Sequence, residues 1–102
     1  MERLKEVVES VKKNIEEEGT KYFEDVLDIQ ATIDTRGNIT EVTALVAFGG
    51  PTVLVRCDGA TITIEGSWGS DKYSEVIRDS DLAKEVFEHL ADLFEGITVR
   101  RP

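Results

Sequence analysis

Cys57 and His89 are the only thiol and the only imidazole in this chain, so any nucleophile–base chemistry would have to start from them. A reactive cysteine needs an electropositive neighbour and a base within reach. Cys57 instead alternates with Val53 and Val55 in TVLVRC, which predicts an inward-pointing, inert thiol. His89 stands four residues after Glu85, at the border of an apolar helical stripe, and is expected to pair with that glutamate. With one His and one Cys, a zinc site would have to borrow carboxylates or a second chain. Asp71, Asp79 and Asp81 lack the spacing of a calcium loop. These residues predict no catalytic group, no cofactor and no metal.

Two glycine-bearing stretches remain as candidates. FGGPTVLVRCDG, residues 48–59, has the composition of a phosphate loop. Such loops open helices, however, and here the β-branched run TVLV follows. There is no GK[ST] and no GxGxxG, so the glycines read as turn residues supplying positive φ. The second stretch is GSWGS, residues 66–70. Trp68 is expected to point inward, with Tyr73 opposite it, as an aromatic pair closing one end of the core. The functional alternative is a ligand groove rimmed by Trp68, Tyr73, Glu65 and Asp71.

The elements that must position these residues are legible from periodicity. Leu4, Val8, Val11 and Ile15 recur at helical spacing over residues 2–18, with Gly19 as a stop. Glu16, Glu17 and Glu18 sit in the last turn against the helix dipole, which suits a solvated face or contact with a basic partner. Four alternating segments follow, then a short fifth near Lys72–Ile77. Leu82, Val86, Leu90 and Leu93 mark a second helix, with Ser80 as N-cap and Gly96 as its end, before a loose ITVRRP tail. The fold expected is a two-layer α+β domain, a single unit over residues 1–102: an antiparallel meander of four to five strands with both helices on one face.

Two-residue hairpin loops at Gly37-Asn38, Gly49-Gly50 and Asp58-Gly59 give a common inward face. Ile33 then faces Val42, Ile29 faces Val46, and Leu27 faces Phe48. Ala44 faces Val55, Val46 faces Val53, Val55 faces Ile62, and Val53 faces Ile64. A one-residue slip would break the pattern, because strand parity has period two. The opposite parity leaves Leu45 and Leu54 facing one another on the uncovered side, with Ala47 beside them and Gln30, Thr43 and Arg56 around them. An apolar pair ringed by polar groups is a candidate interface centre.

Composition bounds the partners. The chain has 102 residues, 40% hydrophobic and 32% charged, with a net charge of −9. That balance is globular, and the charge disfavours nucleic acid and anionic membranes. Arg100 and Arg101 are too few for an electrostatic footprint on nucleic acid. MERLKEVVES has no apolar signal core, and no run is long enough to span a membrane, which predicts a cytoplasmic protein. Gln30, Asn14 and Asn38 are its only amides, a composition common in thermophile proteins.

The string AFGGPTVLV followed by EGSWGS and an acidic C-terminal helix resembles small uncharacterised acidic proteins of archaea and bacteria with a GGP hairpin and a downstream GxWG. The likeness spans residues 44–70 and implies no activity. It makes Gly49, Gly50, Pro51, Gly66, Trp68 and Gly69 a shared fold signature or a shared surface. The function expected is a non-enzymatic protein-interaction module, homodimeric through the open sheet face or bound to another protein. The alternative is a small-ligand or catalytic site at the GSWGS turn.

Overall fold

The apolar stripe of residues 2–18 forms helix α1, Glu2–Glu18, in a computed structural model that describes residues 2–98. Leu4, Val8 and Ile15 are fully buried. Gly19, at φ +60°, ends the helix. The chain then makes a 3₁₀ segment, Gly19–Asp25, that strand and helix periodicity do not announce. This segment packs against both helices and inserts Phe23, fully buried, edge-on to Tyr22 at 5.3 Å and 83°.

Five strands follow: β1 Asp28–Ile33, β2 Ile39–Ala47, β3 Thr52–Cys57, β4 Ile62–Trp68 and β5 Asp71–Ile77. They form one antiparallel sheet in sequential order, closed by helix α2, Ser80–Thr98. α1 packs on β4 and β5, and α2 on β1, β2 and β3, both on the same face. Beneath them lie Val42, Ala44, Val53, Val55, Cys57, Ile62 and Ile64, all at 0% exposure. The inward parity expected from the sequence therefore holds in the three central strands, and the domain is a two-layer α+β meander.

Register departs from expectation at two hairpins, each time by two residues, so parity survives. Ile29 pairs with Ala44 and Ala31 with Val42, because the β1–β2 loop spans residues 34–38. Val55 pairs with Ile64 and Val53 with Gly66, because the β3–β4 loop spans residues 58–61. Both loops open on an aspartate. Asp34 Oδ1 accepts the N–H groups of Arg36 and Asn38, both at 2.9 Å. Asp58 Oδ1 accepts those of Ala60 and Thr61, also at 2.9 Å. An aspartate capping its own turn offers the backbone a wider loop than a two-residue hairpin. These bonds also hold the Asp58 carboxyl below its ordinary pKa.

The middle hairpin keeps the expected register from Val42–Cys57 to Leu45–Leu54, then shifts, so that Ala47 rather than Val46 pairs with Val53. This bulge interrupts the alternation. Val46 and Ala47 both pack against the core, while Phe48, expected inward, is 74% exposed. Leu27 and Ile33, also expected inward, are 61% and 52% exposed. They stand at the two ends of the outer strand β1, where the helix layer covers only Ile29 and Ala31 between them.

Gly66 carries a tight constraint. A Cβ there would lie 2.5 Å from Val8 Cγ2 and 3.0 Å from Leu4 Cδ1, so α1 sits directly on the β4 backbone. The GGP loop adjoins the same region, with Trp68 Cζ2 4.0 Å from where a Gly50 Cβ would stand. Gly49 has φ +113°, and the loop leads into strand β3 and not into the helix that a phosphate cradle opens. α2 starts one residue earlier than Ser80 suggests. Asp79 is the cap: its Oδ1 accepts the N–H groups of Asp81 and Leu82, and its carbonyl accepts that of Ala83. The helix continues through Gly96 to Thr98, and residues 99–102 of the expected tail, including Arg100 and Arg101, lie outside the described residues.

Candidate functional site

Antiparallel pairing builds the open face row by row. Asp28, Leu45, Leu54, Glu65 and Ser74 lie across all five strands, with Leu45 and Leu54 direct partners at the centre. Gln30, Thr43, Arg56, Thr63 and Val76 make the next row. Gln30 thus stands beside Thr43 and not beside Leu45, a consequence of the wider first loop. Leu45 and Leu54 are half-buried by their neighbours, and neither belongs to the core beneath the helices. Ala47 does not join them, because the bulge turns it toward the core.

Arg56 organises the polar surround. Its Nη1 lies 2.6 Å from Glu65 Oε2 and its Nε 3.5 Å from Glu41 Oε1. These are diagonal pairs reaching to the strands on either side. Each is half-exposed, so each contributes only about 0–1 kcal/mol to stability. Their larger effect is to fix the guanidinium between two carboxylates on the open face, one positive charge against two negative ones.

Next to this cluster the face is concave. A groove of about 670 Å³ runs over Thr52, Leu54, Glu65, Ser67, Lys72 and Ser74. Leu54 is its apolar floor, Lys72 and Glu65 its charges. Tyr73 also borders it, but the Tyr73 hydroxyl turns to the helix side, donating to Glu75 and approaching Glu9 Oε2 at 3.5 Å. Lys12 Nζ reaches the same Glu75 carboxylate at 3.4 Å. The hydroxyl's bond to Glu75 raises the Tyr73 pKa to about 12 and lowers that of Glu75.

The four residues proposed as a groove rim are not brought together. Trp68 pairs with Asp71, and Tyr73 pairs with Gly66. Trp68 packs against the core on the helix side, with Arg3 Cζ 5.8 Å from its ring centroid, and Asp71 is exposed at the end of the hairpin. Only Glu65 and Tyr73 line the groove. Sequence reading missed the groove itself, and Tyr73 and Glu75 as one cluster, although their two-residue spacing on a strand places them on one side.

None of the remaining candidates lines the groove. Cys57 is fully buried, and burial, with Asp58 and Glu41 adding to it, raises its thiol pKa to about 12. A thiol held neutral in this way is no nucleophile at neutral pH. His89 forms no ion pair with Glu85 among the described residues, and its Nε2 is buried without a hydrogen-bond partner. Glu16, Glu17 and Glu18 are exposed, with no basic residue in their turn. Among the described residues no acidic, His or Cys group could hold a metal ion, and no helix is long and apolar enough to cross a membrane. No family model, curated protein or solved structure matches this chain.

Proposed function

We propose that this chain is a non-enzymatic protein-interaction module that docks a second protein surface, in the first instance another copy of itself, on its open sheet face. The observation that carries the reading is the Leu45–Leu54 pair, half-exposed at the centre of a face that neither helix covers. Two such faces can stack about 10 Å apart, as sheets do in a sandwich. Covering the remaining leucine surface contributes about 1 kcal/mol per residue, and the fixed Arg56 forms a polar rim.

The test is sedimentation velocity over a concentration series, with amide spectra recorded alongside. Self-docking predicts a concentration-dependent perturbation of the Thr43, Leu45, Leu54 and Arg56 amides that disappears in Leu54→Asp. A face whose amides do not respond to concentration, with Leu54→Asp indistinguishable from the parent chain, would defeat it. The groove supports a second reading, a small polar ligand seated over Leu54 between Glu65 and Lys72. Its volume is within the ~300–1,000 Å³ of ordinary ligand sites. In that case Glu65→Gln and Lys72→Met would abolish ligand-induced shifts at Ser67 and Ser74 without altering association.

A further inference from the structure

The two edges of the sheet are built differently. β5 carries Asp71, Lys72 and Glu75, and Glu75 is tied to Lys12 on the helix side. Charges of this kind, especially one placed on the inner side, are how sheets ordinarily keep an edge from pairing. β1 has none from Ile29 to Ile33: the run IQATI has no charge and no proline. The β1–β2 irregularity places its extra residue in β2, so β1 itself is not bulged. Three large hydrophobic residues are strongly exposed among the described residues, and two of them, Leu27 and Ile33, stand at the two ends of this strand.

We propose that β1 pairs antiparallel with β1 of a second copy about a two-fold axis at Gln30, joining two five-stranded sheets into one of ten. Leu27 of each copy then meets Ile33 of the other, Ile29 meets Ala31, Asp28 meets Thr32, and Gln30 meets Gln30. Both exposed apolar side chains are covered, on the helix side and in line with the existing core. Unpaired edge N–H and C=O groups bond across the seam. The alternative registers are worse. Moving the axis to Ala31 sets Asp28 against Asp34 of the other copy, and moving it to Ile29 leaves Ile33 uncovered. Registers between residues would place the helix side of one strand against the open side of the other.

Charge points to the same seam. Two chains of −9 repel, and the run IQATI gives them an edge at which strands meet without setting like charges against each other. The occupant is a second copy because the strand is complementary to itself about Gln30, setting Leu27 against Ile33 and Ile29 against Ala31. This surface is separate from the open face, and the inference stands whether or not the open face docks anything.

The experiment uses the whole chain. Sedimentation velocity should show a concentration-dependent dimer that persists in Leu54→Asp. Leu27→Lys with Ile33→Lys should weaken it by on the order of tenfold or more, with circular dichroism unchanged and melting unchanged at a dilution where the parent chain is monomeric, because both side chains are already mostly exposed. Leu27→Glu with Ile33→Lys, which sets opposite charges across the same seam, should restore it. The register is read by cross-linking: Gln30→Cys in the Leu54→Asp background should oxidise to a covalent dimer, since directly opposed Cα atoms lie about 4.5–5.5 Å apart, within the span of a disulfide. Asp28→Cys alone should not, whereas Asp28→Cys mixed with Thr32→Cys should. A monomer at every concentration, or a dimer indifferent to the paired lysine substitutions, would overturn the proposal. So would a Gln30→Cys chain that stays monomeric under oxidation.

Discussion

The β4–β5 side of the sheet and the β1–β2 side are finished to different degrees. On the first, α1 presses onto bare backbone at Gly66, and the outer strand is fastened to it through Glu75, Lys12 and Tyr73. On the second, α2 covers the middle of β1 and leaves Leu27 and Ile33 largely in water. The same chain therefore seals one edge with close packing and charge while the other carries no charge from Ile29 to Ile33 and leaves Leu27 and Ile33 bare. The contrast separates residues that hold the fold from residues free to meet a partner. Gly66 and Glu75 belong to the first class; Leu27, Ile33, Leu45 and Leu54 are open to the second.

The sharpest way to break this contrast is at Gly66. Gly66→Ala places a methyl where Val8 Cγ2 and Leu4 Cδ1 already stand, at 2.5 Å and 3.0 Å. Overpacking of this kind costs about 1–3 kcal/mol. Denaturant unfolding should show the loss, and adding Val8→Ala should recover part of it by vacating the contact. A neutral Gly66→Ala would mean that α1 rides loosely and that the two sides do not differ. It would also leave Gly66 without a packing role, whereas the present geometry sets it directly beneath Val8 and Leu4.

A smaller effect tests the anchoring of α2. Asp79→Ala removes an acceptor for two helix N–H groups and should cost about 1 kcal/mol. Ser80→Ala, which takes away no cap, should change stability by only a few tenths of that order. If the two substitutions were equally costly, Ser80 would share the capping and the start of α2 would be misplaced by a residue.

How far the sequence could be read follows from which interactions obey parity and which do not. Alternation of Val, Ile and Ala over the strands gave the helix-side face correctly, and with it the Leu45–Leu54 pair, because parity survives an even error in loop length. Loop length itself depended on the carboxylates of Asp34 and Asp58 bonding to amides two to four residues on, a local choice that hydrophobic pattern does not encode. Ala47 was lost from the open face because a bulge has no mark in ALVAF. Phe23 was missed because a 3₁₀ segment has neither helical nor strand periodicity. The rim expected at Trp68 dissolved for a simpler reason: the Gly69-Ser70 hairpin pairs Trp68 with Asp71, so Tyr73 falls beside Gly66.

The smallest effect is also the most local measure of how β5 is closed. Tyr73 donates to Glu75, which lowers the Glu75 pKa and raises that of Tyr73 to about 12. The depressed glutamate stabilises the fold above its unfolded pKa, and that stability is lost as pH falls through the folded value. The raised tyrosine acts in the opposite range: its contribution is complete below the unfolded value near 10 and is lost as pH rises through about 12. Tyr73→Phe removes the largest cause of the Glu75 shift, so the carboxyl should titrate closer to an ordinary glutamate in carbon-detected spectra. Lys12→Met, which removes a lesser cause, should move it less. An unchanged Glu75 midpoint in Tyr73→Phe would show that the hydroxyl does not hold this edge, and that close packing at Gly66, rather than polar contact at the rim, is what distinguishes the sealed side from the bare one.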